Sequence, residues 1–218
     1  MCQQNAIAQS RQTIEAGFVA KREHQPARKP TRKPGIERYD RIIGAAESLI
    51  LEQGCLDHLT LEAVAQRAGV PRVSLYYFFD SIEVLLDTLY QRAVKKMVAE
   101  LPPPPATQDW KAMLELYVDS VRAFYLKNRV EMILALMPVS HESYNQACQA
   151  FGETLYGLLT ERGATPKSQK LARACSIVAE LPDLVWRKSF IEKGSLTPAC
   201  HKEAKRVVIA YLGSVLES

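Results

Sequence analysis

From Tyr39 to Leu216 the apolar residues recur at spacings of three and four almost without interruption, and no pair of runs carries the strict alternation and tight turn of a β-hairpin. A chain patterned in this way buries one stripe of each helix against its neighbours, so the expected fold class is all-α. Helices are predicted over Tyr39–Gln53, Leu61–Ala68, Pro71–Phe78, Ser81–Leu101, Asp109–Lys127, Val130–Leu136, Ser140–Glu161, Lys167–Lys193 and Pro198–Leu216. Gly54 stops the first, Thr60 is positioned to cap the second, and Pro71 sits where a helix start tolerates a missing N–H. The run "LPPPPATQD" at 101–109 cannot continue a helix and favours an extended spacer.

Charge is unevenly spread. The net charge of +4 is mild. Between Lys21 and Arg41, however, eight basic residues meet three acids, whereas Ile42–Leu101 has five bases and eight acids. The stretch 21–36, "KREHQPARKPTRKPGI", has little to bury and cannot offset the entropy of ordering itself, so a flexible basic arm is expected over 1–36.

Several function classes lack support. There is no Gly-rich phosphate loop and no G-x-S-x-G elbow. His24, His58, His141 and His201 are scattered without metal-ligand spacing. The expectation is therefore no enzyme, no catalytic residue, no metal and no cofactor. The cysteines are Cys2, Cys55, Cys148, Cys175 and Cys200, with no CxxC pair, which is the usage of a reducing compartment. No apolar run approaches the roughly 20 residues of a membrane span. A cytoplasmic location without membrane contact is expected.

The chemistry concentrates in 60–79. Two short helices meeting over a tight turn need a small contact residue, a glycine in the turn and apolar pins on both inner faces. Ala65 and Gly69 supply the first two, and Val64, Ala68, Val70, Leu75 and Phe78 the pins. Arg72, Val73, Ser74, Tyr76 and Tyr77 are left near or on the outer face, where hydroxyls and a guanidinium suit phosphate oxygens and base edges. An ordinary αα-hairpin with tyrosines lodged between helices fits the same spacing.

The stretch "TLEAVAQRAGVPRVSLYYFFDSIEVLL", with the preceding "AAESLILEQG", resembles the N-terminal domain of TetR-family transcriptional regulators over roughly residues 38–100. The resemblance implies a recognition helix at 71–78 lying in the major groove of double-stranded DNA. It makes Arg72, Val73 and Tyr77 candidates for base or groove contact, and Thr60, Ser74, Tyr76 and Tyr77 candidates for phosphate contact. The family often has glycine where Val73 stands and a phosphate-holding lysine where Ile82 stands. An acidic reading domain without that lysine is poorly equipped to neutralise phosphates. The basic arm, with Arg32, Lys33 and Arg38 as candidate contacts, would compensate by following the backbone or entering the minor groove. A solubilising tail is the alternative.

The resemblance further implies three divisions: the arm at 1–36, a helix-turn-helix domain with its connecting helix at 37–101, and a helical ligand-binding and dimerisation domain at 102–218. The function implied is that of a ligand-responsive repressor, dimeric on a palindromic operator. A helical protein-interaction adaptor without DNA binding is the alternative. The homodimer would form through 167–193, on a stripe of Leu171, Ala174, Val178, Leu181 and Val185, and through 198–216, on Ala204, Val207, Val208, Tyr211, Leu212 and Val215. Periodicity alone also allows both helices to be intrachain core. A small apolar or aromatic effector would meet Trp110, Met113, Tyr117, Phe124, Met137, Tyr144, Phe151 and Trp186, each of which also reads as a core residue. Pro182 within a helix should kink it and could wall a cavity.

Overall fold

The computed structural model describes residues 27–102, 109–137, 140–161 and 167–217. Among them are nine α-helices and no strand: α1 Lys33–Gln53, α2 Leu61–Ala68, α3 Arg72–Phe78, α4 Ile82–Glu100, α5 Trp110–Lys127, α6 Arg129–Leu136, α7 His141–Glu161, α8 Gln169–Lys193 and α9 Pro198–Leu216. The all-α reading holds. Glycines in the left-handed region end α1, α2 and α8, at Gly54, Gly69 and Gly194.

One boundary moved. α1 begins at Lys33, six residues before the expected Tyr39, so Lys33–Ile36 of the expected flexible arm are helical. Pro34 lies in the first turn, and the Arg32 carbonyl accepts from the Gly35 and Ile36 N–H groups at 2.9 and 3.0 Å. These residues bury little themselves. They extend a helix that is already anchored by Tyr39, Ile42 and Ile43. Arm residues before 27 lie outside the described residues, as does most of the proline run.

The chain divides into two units. One holds the described residues up to Val94 together with those of 128–141; the other holds those of 95–127 and 142–218. The sequence division after 101 left Arg129–Leu136 with the second half of the chain, yet α6 belongs to the first unit and packs on α1. Met132–Leu136 are all buried, a run with no polar side from which its partner could be inferred.

Within the first unit the apolar stripe of α1 (Ile42, Ile43, Ala46, Leu49, Ile50) is buried, as are Val64, Ala65, Ala68, Val70, Leu75 and Phe78 of the helix pair. Tyr39 stacks on Phe79 with ring centroids 5.3 Å apart and meets Phe78 edge-on at 5.7 Å. On α4, Val84, Leu85 and Leu89 are buried. Arg92 is exposed, because the buried face passes instead through Tyr90, Ala93, Val94 and Met97. α4 supplies residues to both units as one unbroken helix.

In the second unit α9 packs along α8 and against α5. Ala204, Val208 and Leu212 of α9 and Leu171, Ala174, Cys175, Val178, Trp186 and Phe190 of α8 are buried as core. Of the stripe read as a dimer surface, Leu171, Ala174, Val178, Ala204, Val208 and Leu212 are buried within the chain while Leu181, Val185, Val207, Tyr211 and Val215 stay half-buried, and α8 turns a further row outward: Ile177, Leu184 (53 % exposed) and Ile191 (66 % exposed), seven residues apart. Gly152 of α7 allows a close backbone approach, since a Cβ there would lie 2.5 Å from the Ser176 Cα. Asp119 on α5 joins His201 and Lys205 of α9, each at 2.6 Å. Burial alone would raise the Asp119 carboxyl, but the hydrogen bonds from Lys205 and His201 hold it below its ordinary value.

Candidate nucleic-acid interface

The local chemistry of 60–79 builds a rigid, outward-facing helix. Thr60 caps α2, its hydroxyl accepting from the Ala63 N–H at 3.1 Å. Gly69, at φ +61°, turns the chain, and the Val70 N–H returns to the Ala65 carbonyl at 3.1 Å. Pro71 precedes α3, and the Pro71 carbonyl accepts from Ser74 and Leu75. Leu75, completely buried, and Phe78 fasten one side of this seven-residue helix to the core. The other side is left to solvent.

That side carries the predicted residues. Val73 is 82 % exposed and Tyr77 59 %, with Tyr76 and Arg72 also exposed and Ser74 half-buried. Exposed large side chains on a firmly anchored helix signal a binding surface. The Arg72 guanidinium pairs with Glu62 of α2 at 2.8 Å, so a DNA contact by Arg72 would have to compete with this carboxylate. Arg67 makes a two-pronged bond to Glu52 of α1 at 2.6 and 2.7 Å, tying α2 to α1. The Arg67 partnership also holds the Glu52 carboxyl below its ordinary value.

Of the arm candidates, Arg32 precedes α1 and Lys33 opens it, both exposed. The Arg38 Nε donates to the Pro34 carbonyl at 3.2 Å. Sequence reasoning missed Arg28. Its N–H donates to the Phe78 carbonyl at 3.1 Å, and its guanidinium lies over the Tyr77 ring, 5.5 Å from the centroid. The arm is therefore tied to the C-terminal end of α3, and a basic group stands directly beside the predicted surface. Arg28 belongs to the expected basic arm, but a basic residue in a proline-rich stretch gives no periodic signal that would single it out.

The eight effector candidates separate. Tyr117, Phe124, Tyr144 and Trp186 gather around two residues the sequence reading did not name for this role, Tyr125 and Asp183. The Tyr125 and Tyr144 hydroxyls donate to the buried Asp183 carboxylate at 3.1 and 3.5 Å. Tyr125 packs edge-on to Trp186 at 5.8 Å and tilts against Phe124 at 6.1 Å. Burial pushes the Asp183 carboxyl up to about 7, against the opposing influence of Tyr125, Arg187 and Tyr144. Trp110 instead lies beside Gly213 of α9, and Met137 ends α6 in the other unit. Met113 is buried and Phe151 half-buried. Asp183 was detectable in principle: it occupies a position on the buried face of α8 that Val178, Trp186 and Phe190 share. Pro182 removes a hydrogen bond one residue earlier, within a helix that continues through it.

Burial also pushes the Cys148 thiol up and raises Cys175 to about 12, which disfavours the reactive thiolate. Among the described residues no group of three or more His, Cys, Asp or Glu could hold a metal ion, and no helix is long and apolar enough to cross a membrane.

Residues 42–89 match the family model described as bacterial regulatory proteins, tetR family. The HTH-type transcriptional repressor Rv1353c of Mycobacterium tuberculosis is 28 % identical over 138 residues, 62 % of this chain and 52 % of that protein. The chain thus spans about half the length of that relative. EthR, an HTH-type transcriptional regulator of the same organism, is 25 % identical over 167 residues, covering 70 % of this chain and 77 % of EthR. The crystal structure of a TetR-family transcriptional regulator from Streptomyces coelicolor superposes with a TM-score of 0.61 at 24 % identity, over 82 % of this chain and 99 % of that one.

Proposed function

We propose, from the premise that this chain is a tetR-family regulatory protein through its residues 42–89, that it is a repressor acting as a homodimer on a palindromic operator and responding to a small effector. It is a binding protein and not an enzyme. The observation that carries the reading is the outer side of α3, where Val73, Tyr76 and Tyr77 stand in solvent while Leu75 and Phe78 hold the helix in place. Val73 offers an apolar contact for a thymine methyl, Tyr76 and Ser74 offer hydroxyls to phosphates, and Arg72 or Tyr77 reaches base edges. Thr60, Arg28, Arg32, Lys33 and Arg38 add backbone contacts, and the basic ones supply the phosphate neutralisation that Ile82 does not.

Dimerisation is supported by the exposed row of Ile177, Leu184 and Ile191, a seven-residue repeat of apolar side chains suited to a helix-on-helix seam. Two recognition helices about 34–36 Å apart would then meet successive major grooves. Effector binding acts through differential affinity for two arrangements of the dimer, typically worth ~1–3 kcal/mol of coupling. α4 is the covalent path between the two units along which such a change is felt.

The test is a gel shift on the DNA upstream of the chain's own coding region, with Tyr76→Phe and Arg72→Ala beside the native protein. Tyr76→Phe should weaken every duplex by about 0.5–1.5 kcal/mol, one hydrogen bond's worth. Arg72→Ala should mostly relax sequence preference. If no duplex competes better than buffer, the adaptor reading replaces this one.

A further inference from the structure

We propose that Asp183, with Tyr117, Tyr125, Tyr144 and the Trp186 indole around it, is a binding site for an effector carrying a protonated amine on an apolar body. The inference rests on the effector-responsive reading above and adds the chemistry of the effector.

Asp183 lies in the core of the second unit and accepts hydrogen bonds from two neutral hydroxyls, Tyr125 at 3.1 Å and Tyr144 at 3.5 Å. Two bonds leave lone pairs unused on a group able to accept about four. No ion pair to Asp183 is formed among the described residues. On α8 itself, Arg187 favours the ionised form through space and Glu180 opposes it; Cys148 and Tyr144 face it from α7, and Tyr117 and Tyr125 from α5. A buried anion held only by neutral donors is costly, and it acquires either a proton or a cation.

Two further observations point to a ligand. Tyr117 is half-buried, its phenol is raised by burial and by Asp183, and its hydroxyl bonds to no described residue. One turn from Asp183, the Trp186 Nε1 is buried without a hydrogen-bond partner, on a ring fixed between Tyr125 at 5.8 Å and His201 at 5.9 Å. An under-neutralised acceptor, an indole N–H and a phenol without partners, and several aromatic rings thus belong to the same stretch of the second unit's core. An ammonium group satisfies the carboxylate directly and is attracted by the rings, while its apolar body is matched by Phe124 and Trp186.

Binding an ammonium to the ionised carboxylate requires the proton that Asp183 carries at lower pH to leave to solvent. The amine should therefore bind about tenfold more tightly at pH 8 than at pH 6, because a carboxyl raised to about 7 is mostly ionised at the first and mostly protonated at the second.

Isothermal titration of the full chain with 4-phenylbutylamine, and with 4-phenylbutanol as its neutral counterpart, tests the site. The expected result is amine binding at least tenfold tighter than alcohol binding, with the pH ratio above. Asp183→Asn should erase the preference for the amine, and Tyr117→Phe should lower amine affinity several-fold. If Asp183→Asn does not fold, judged by its thermal melt, the pH ratio in the native protein and Tyr144→Phe carry the decision. Equal binding of amine and alcohol, absence of amine binding at millimolar concentration, or a folded Asp183→Asn that still prefers the amine overturns the proposal. A parallel gel shift separates this from the regulatory reading. Amine binding that leaves operator binding unchanged keeps the site and removes its effector role; operator binding without amine binding does the reverse.

Discussion

Asp183 provides a measurable dependence of stability on pH even without a ligand. An aspartate in the unfolded chain titrates near 3.9, whereas burial moves this one to about 7 in the folded state. The native state therefore holds the proton more tightly than the unfolded state does. The site contributes most to stability below the unfolded value, and that contribution is lost as pH rises through about 7. Three pH units at about 1.4 kcal/mol each set an upper limit on the order of 4 kcal/mol, of which about 3 kcal/mol falls between pH 5 and pH 8. Asp183→Asn preserves shape and an acceptor for one tyrosine hydroxyl but cannot titrate. Urea unfolding of both proteins across pH 5–8 should show the variant gaining on the native protein by a few kcal/mol, with the gain ending near pH 8. If the difference in unfolding free energy stays constant within about 0.5 kcal/mol across that range, Asp183 does not titrate as a buried group and the reasoning fails.

Gly152→Ala forces a methyl against the Ser176 backbone and should destabilise the protein by about 1–3 kcal/mol in the same unfolding assay; an unchanged midpoint would show that α7 and α8 are not so close. Arg28→Ala should weaken all duplexes alike and reduce the slope of log K against log salt by about 0.9, the signature of one lost phosphate contact, while an unaltered slope would remove Arg28 from the interface. Replacing Leu184 and Ile191 together by glutamate should leave a folded monomer by light scattering, since both side chains are exposed within the chain; a dimer that persists would place the seam elsewhere.

What the sequence determined was local. The helix-turn-helix was legible because its parts act within a few residues of one another. The Thr60 hydroxyl reaches the N–H three residues on, Gly69 turns where positive φ is required, and Leu75 and Phe78 share a face by helical spacing alone. The outward position of Val73, Tyr76 and Tyr77 followed by subtraction. Tertiary structure decided which face met which partner. Periodicity identified apolar stripes on α8 and α9 without saying whether a neighbour in the same chain or a second copy covers them, and it missed the outward row of Ile177, Leu184 and Ile191. It likewise could not assign α6, apolar all round over Met132–Leu136, to α1, nor tie Arg28 to Phe78 fifty residues away. Asp183 is the sharpest case. A carboxylate among apolar residues becomes a buried charge only when α5 and α7 bring tyrosines onto it, and burial is a property of the whole fold.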